Sequence, residues 1–219
     1  MKTPLNKEKI QNHFTYSLWK YALLAVAAVL GWNFIYSVTE HQAPDEKKVI
    51  LGVYAYANET SMNAYMENVR QEMMPDMEEM AANIIMPDEM YGDMILSTRI
   101  AARDCDIYLL PRTQFQNYAA QGAFMPLDEV LPDLIADLDA AGISLSRGYR
   151  ANDELGGEKH QYGVPCSDLP AIGPMLQIDA SDMYLCIFFE TGNNDNVALF
   201  FNQLVRDMLE EPVEIIVTE

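Results

Sequence analysis

Cysteine, histidine and basic residues are all scarce in this 219-residue chain. The three cysteines, Cys105, Cys166 and Cys186, are too few and too widely spaced for a disulfide scaffold or a zinc cluster, whose ligands come in close pairs. Buried thiols beside strands fit them best, with one disulfide as the other arrangement open to the sequence. Of the three histidines, His13 precedes the main apolar run and His41 sits in a polar segment, which leaves only His160 for a folded body. There is no G-x-S-x-G elbow, no H-E-x-x-H pair, no phosphate-cradling G-x-x-x-x-G-K and no D-x-D-x-D-G calcium loop. Carboxylates are so abundant that a close pair among them does not nominate a glycosidase. Neither an enzyme nor a cofactor is therefore expected. Fourteen basic residues face 33 acidic ones, a formal net charge of −19. The imbalance is uneven: residues 1–38 hold four lysines and one acid, whereas residues 39–219 hold ten basic and 32 acidic residues. A body of that charge repels phosphate backbones, which excludes nucleic acid and favours neutral or cationic ligands.

Charge is also missing from Leu18–Val38, apart from Lys20. About 20 residues at ~1.5 Å each span the ~30 Å hydrocarbon core of a bilayer. Trp19 and Tyr21 at one end and Trp32 and Tyr36 at the other suit the two interfacial belts, and the preceding lysines place the short N-terminus in the cytoplasm. The expectation is a cytoplasmic tail (1–17), a transmembrane anchor (18–38), a polar stalk (39–48) and an extracytoplasmic α/β domain (49–219). A cleaved signal peptide is the competing reading, but Ser37-Val38-Thr39 makes a poor cleavage site.

In the body, Val49–Tyr56 reads as a strand. Met62, Tyr65, Met66, Val69 and Met73 fall on one face of a helix stopped by Pro75, and thioethers at helical spacing read as core. The acids of Asp76–Glu79, Asp88 and Glu89 read as a solvated face, and a helix from about Asp88 to Arg103 leads to Asp106. Ile107–Leu110 is a buried strand ended by Pro111. Thr113 is placed to cap a helix carrying Phe115, Tyr118 and Ala119, with Gly122 at a left-handed turn. Asp128–Ala141 reads as one helix despite Pro132, Gly156-Gly157 as a hairpin turn, and Met183–Phe189 as a buried strand. Asn196–Glu210 closes as a helix with Val197, Phe200, Phe201, Leu204 and Met208 on its apolar face. Strands alternating with helices predict an α/β fold with a mainly parallel sheet.

Asp106-Ile-Tyr-Leu-Leu-Pro111, Ala119-Ala-Gln-Gly122 and Ala123-Phe-Met-Pro-Leu-Asp128 together resemble the first lobe of the extracellular solute-binding proteins that serve ABC importers. Val49–Tyr56, Tyr162-Gly-Val-Pro165 and Asn196–Leu204 resemble, in the same order, that family's first strand, its Y-G-V-P strand and a later helix. The resemblance implies a single periplasmic-binding-protein-like lobe, a small solute such as a sugar or peptide, and an ABC permease or other membrane protein as partner. It also implies an aspartate-led strand beneath the ligand cleft. One departure stands out: only about 17 residues separate Pro165 from Met183, too few for the second lobe that closes the clamshell.

Sheets of this kind bind ligands beyond the C-terminal ends of their strands. Those positions are Tyr56 and Asn58 after the first strand, Arg112 and Thr113 after the Asp106 strand, and Ser167 and Asp168 after Pro165. Tyr56 suits stacking on a sugar or aromatic group, Asn58 and Thr113 hydrogen bonding, Arg112 a carboxylate and Asp168 an amine. The second functional class is a protein-interaction or accessory module without a small-molecule ligand, docking through Leu169–Leu176 where the second lobe would have packed.

Overall fold

A computed structural model describes residues 7–39, 43–151 and 157–210, with the side chains of 7–18, 35 and 37–39 excepted. Two compact units result, residues 1–42 and 43–219. The first holds the helix α1 (Lys7–Thr39), whose described side chains are exposed around its whole circumference, Leu24, Val26, Val29 and Trp32 among them. Among the described residues no helix is long and apolar enough to cross a membrane. Leu18, Ile35, Ser37 and Val38, which belong to the expected anchor, lie outside the described side chains, as do Glu40, His41 and Gln42 of the stalk.

The second unit is a mixed five-stranded sheet covered on both faces by helices. In chain order it runs β1 (Lys48–Val53), α2 (Thr60–Met73), β2 (Glu79–Ile84), α3 (Gly92–Ala102), β3 (Ile107–Pro111) and α4 (Arg112–Ala120). It continues through α5 (Leu127–Val130), α6 (Pro132–Ala140), β4 (Tyr149–Ala151), β5 (Lys159–Gln161), β6 (Val164–Pro165), α7 (Ile172–Leu176), β7 (Met183–Ile187) and α8 (Asn194–Leu209). The sheet order is β2-β1-β3-β7-β6, and β4 and β5 pair separately as a hairpin. The Val49, Asp106 and Met183 segments are thus neighbours in the sheet.

Alternation along the strands separates two cores. Val49, Leu51 and Val53 of β1, with Ile107 and Leu109 of β3, face α2 and α8, where Met62, Met66, Phe200, Phe201 and Leu204 are buried. Ile50, Tyr108, Leu110 and Tyr184 face the other way, onto Leu96 and Ile100 of α3 and Phe115 of α4. The period of two in the strands and 3.6 in the helices is what lets a short chain bury both faces. Gly52 pairs with Tyr108 across the parallel ladder, and a Cβ there would come within 2.9 Å of Cys105 Sγ and 3.1 Å of the Tyr108 ring. Glycine at 52 thus makes room for the tyrosine beside it. All three cysteines are free and buried.

Several expectations are corrected. The sheet is mixed rather than mainly parallel: β7 runs antiparallel to β3 and β6 antiparallel to β7. The chain turns through α7 at the edge where β3 ends, so β7 must start there and run back. The acids Asp76, Glu78, Glu79, Asp88 and Glu89 are exposed as expected, but Glu79–Ile84, for which no strand was expected, is an edge strand parallel to β1. Thr113 is not a cap, because α4 begins directly after Pro111, without a capping side chain. The helix expected across Asp128–Ala141 is two, because Pro132 has no N–H to continue a ladder and instead begins α6. Met73 is largely exposed and the adjacent Met74 is buried in its place. Leu169–Leu176 is not an exposed patch, since Leu169, Ala171, Ile172 and Leu176 are all core.

Candidate functional site

Because β1, β2 and β3 are parallel, Val53, Ile84 and Pro111 end at one edge of the sheet. Two antiparallel steps bring the end of β6 to the same edge, and β7 starts there with Met183 opposite Pro111. An open cavity of about 530 Å³ lies at this edge, lined by Tyr54 and Tyr56 after β1, Pro87 after β2, Pro111 ending β3, and Asp179 and Asp182 leading into β7.

Each polar wall of the cavity is positioned by short contacts. The Tyr54 hydroxyl donates to Asp93 Oδ1 at 2.9 Å; burial, reinforced by that carboxylate, pushes its pKa up to about 12, so it stays a neutral phenol. Tyr56 presents an exposed ring and donates from its hydroxyl to the carbonyl of Pro87 at 3.2 Å. Asp179 Oδ1 accepts the Ser181 N–H at 3.0 Å, and Ser181 holds that carboxyl below its usual range. Arg112 flanks the cavity: its backbone N–H donates to the Asp182 carbonyl at 3.0 Å and its Nε lies 3.8 Å from Asp182 Oδ1. Both side chains of that pair are well exposed, so it is a weak bond that a ligand could replace. An aromatic ring, two carboxylates and one guanidinium around a half-open apolar floor suit a neutral polar or cationic solute.

The other residues expected here are placed differently. Asn58 is exposed, with its N–H on the Leu176 carbonyl and its Oδ1 accepting the Thr60 N–H at 3.0 Å, which fixes the entry into α2. Thr113 is exposed in the first turn of α4, and Ser167 is exposed in the 3-10 turn Cys166–Asp168. Asp168 accepts the N–H of Ser144 at 3.3 Å, and Ser144 lines a second cavity of about 600 Å³ bounded by Asp128, Ile135, Asp139 and Tyr149. His160 stands beside Asp128, Nδ1 to Oδ2 3.2 Å. No group of three or more His, Cys, Asp or Glu side chains suited to a metal occurs among the described residues.

No family model matches the chain, and no curated protein matches it. Among solved structures, an extracellular solute-binding protein of family 1 from Alicyclobacillus acidocaldarius is similar, at 18% identity and a TM-score of 0.35. The similarity covers 54% of this chain and 27% of that one, so the chain spans about a quarter of the protein it matches.

Sequence reading missed Asp179, Ser181 and Asp182, which enter the cavity only because β7 is antiparallel and begins at this edge. Nothing in the sequence marked them, because the roughly 17 residues between Pro165 and Met183 are too few for a second lobe but long enough for either a crossover or a direct return. Asp106, expected beneath the cleft, precedes β3 and therefore lies at the strand end opposite Pro111 and the cavity. There its Oδ2 accepts the Ile50 N–H at 2.7 Å and closes the ladder with β1.

Proposed function

We propose that residues 43–219 form an extracytoplasmic module that takes a small neutral or cationic solute, a sugar or short peptide, in the cavity bounded by Tyr56, Asp179 and Asp182. In this reading Leu18–Val38 anchors the module in the cell membrane with the N-terminus cytoplasmic, and the module serves an ABC importer. The observation that carries the proposal is the convergence of four strand ends on one half-open cavity, with an exposed aromatic ring on one wall and two carboxylates on another. The ordered motifs that resemble a solute-binding lobe support the same assignment, and the apolar run flanked by Trp19, Tyr21, Trp32 and Tyr36 supports the anchor. A site covered on one side forfeits much of a ligand's burial. The expected affinity is therefore weak, with a dissociation constant on the order of 0.1–1 mM unless a second protein closes over it.

Ligand-observed NMR of the full chain in detergent against sugars, short peptides and polyamines tests the site. Tyr56→Ala and Asp182→Asn should each weaken the best ligand at least tenfold; an unchanged affinity in both would place the site elsewhere. For the anchor, the chain should stay with membranes after an alkaline wash, and protease added outside should digest the body. Release of an intact chain into the wash, or protection of the body, would contradict it.

A further inference from the structure

Of the 13 methionines among the described residues, eight are buried, as is usual for this side chain. Met86, Met90 and Met94 are the opposite: 62%, 76% and 59% exposed, four residues apart, on the segment from β2 into α3. We propose that these three thioethers form a binding site for a soft monovalent cation, copper(I) or its analogue silver(I).

The backbone carrying them is tied down. Asp88 Oδ1 accepts the N–H groups of both Met90 and Tyr91 at 2.9 Å, and the Asp88 carbonyl accepts the Gly92 N–H at 2.8 Å. Ile95 N–H donates to the Tyr91 carbonyl at 2.9 Å, so successive helical turns run from 88 to 95 and leave Met90 and Met94 one turn apart. Tyr56 holds the carbonyl of Pro87, next to Met86, and Asp93 is held by the Tyr54 hydroxyl. Gly92 sits so close to the Pro87 backbone and the Tyr54 hydroxyl that a Cβ would lie 2.8–3.0 Å from them. Three flexible, polarisable thioethers thus stand on a fixed frame and face solvent. Thioether sulfur selects soft ions such as copper(I) over calcium, magnesium or zinc, and the strongly acidic body raises the local concentration of any cation. Binding involves no redox step; the ion exchanges water for sulfur.

Substitution by leucine separates this chemistry from simple apolar docking, since leucine keeps the apolar area and removes the sulfur. Silver(I) is titrated into the full chain in detergent, in chloride-free buffer, with the methionine methyl groups observed by NMR. The methyls of Met86, Met90 and Met94 should shift together and saturate at one ion per chain while those of buried Met62 and Met66 stay put. Met90→Leu should weaken binding at least tenfold, and the triple leucine variant should lose those shifts and the one-ion stoichiometry. Shifts that never saturate, or a triple variant that binds silver(I) as tightly as the parent, would overturn the site. So would a peptide or protein that binds parent and triple variant equally while silver(I) leaves the three methyls unmoved, since that surface would then be an apolar dock.

Discussion

At Asp106 a carboxyl that is only 5% exposed accepts the Ile50 N–H, and the charges of Lys48 and Asp45 act on it in opposite directions. Burial outweighs the hydrogen bond and the lysine, and its pKa is pushed up to about 6 from the usual 3.8. The neutral form is therefore favoured by folding. That contribution is fully present below about pH 4 and is lost as the pH rises through about 6, at a cost of up to about 3 kcal/mol. Asp106→Asn keeps an acceptor for Ile50 and removes the titration. Chemical denaturation at several pH values should show the variant level with the parent near pH 4 and more stable than it at pH 8. A constant difference across that range would contradict this account. None of it was legible beforehand: the sequence marked Asp106 as the head of a strand, but burial and the Ile50 contact depend on which strand lies alongside.

Among the elements, α8 was the most readable, because Val197, Phe200, Phe201, Leu204 and Met208 keep helical spacing over about three turns and all are buried. Phe200→Ala should destabilise the body by about 3–5 kcal/mol in denaturant melts. An effect below about 1 kcal/mol would mean that the helix is not seated on the sheet. β2 was illegible for the converse reason: Glu79-Met-Ala-Ala-Asn-Ile84 lacks the β-branched run that marks a strand, and it pairs only because β1 offers a free parallel edge. Gly52 shows the same dependence on a neighbour. Gly52→Ala should cost about 1–3 kcal/mol by crowding Cys105 and Tyr108, and combining it with Cys105→Ala should cost less than the two changes summed. Strict additivity in that double-mutant cycle would show that Cys105 is not what crowds the site.

Over the whole molecule, the α/β class followed from strands alternating with helices, whereas strand direction did not, because hydrophobic patterning is the same for parallel and antiparallel strands buried on both faces. That one unreadable property decided half of the cavity: an antiparallel β7 supplies Asp179 and Asp182, and the Ser144 contact draws Asp168 toward another cavity. The described residues of the unit 43–219 bury both faces of a single sheet, so the body should unfold in a single cooperative transition by both circular dichroism and calorimetry. Two separated transitions would divide the layers into independent units. The claim that most needs testing is that the cavity between Tyr56 and Asp182 holds a solute. Isothermal titration of the full chain in detergent with the best ligand from the NMR panel measures it directly. The account predicts a dissociation constant on the order of 0.1–1 mM for the parent, weakened at least tenfold by Tyr56→Ala and by Asp182→Asn. Absence of any binding at millimolar concentration, or binding that both substitutions leave intact, would contradict it.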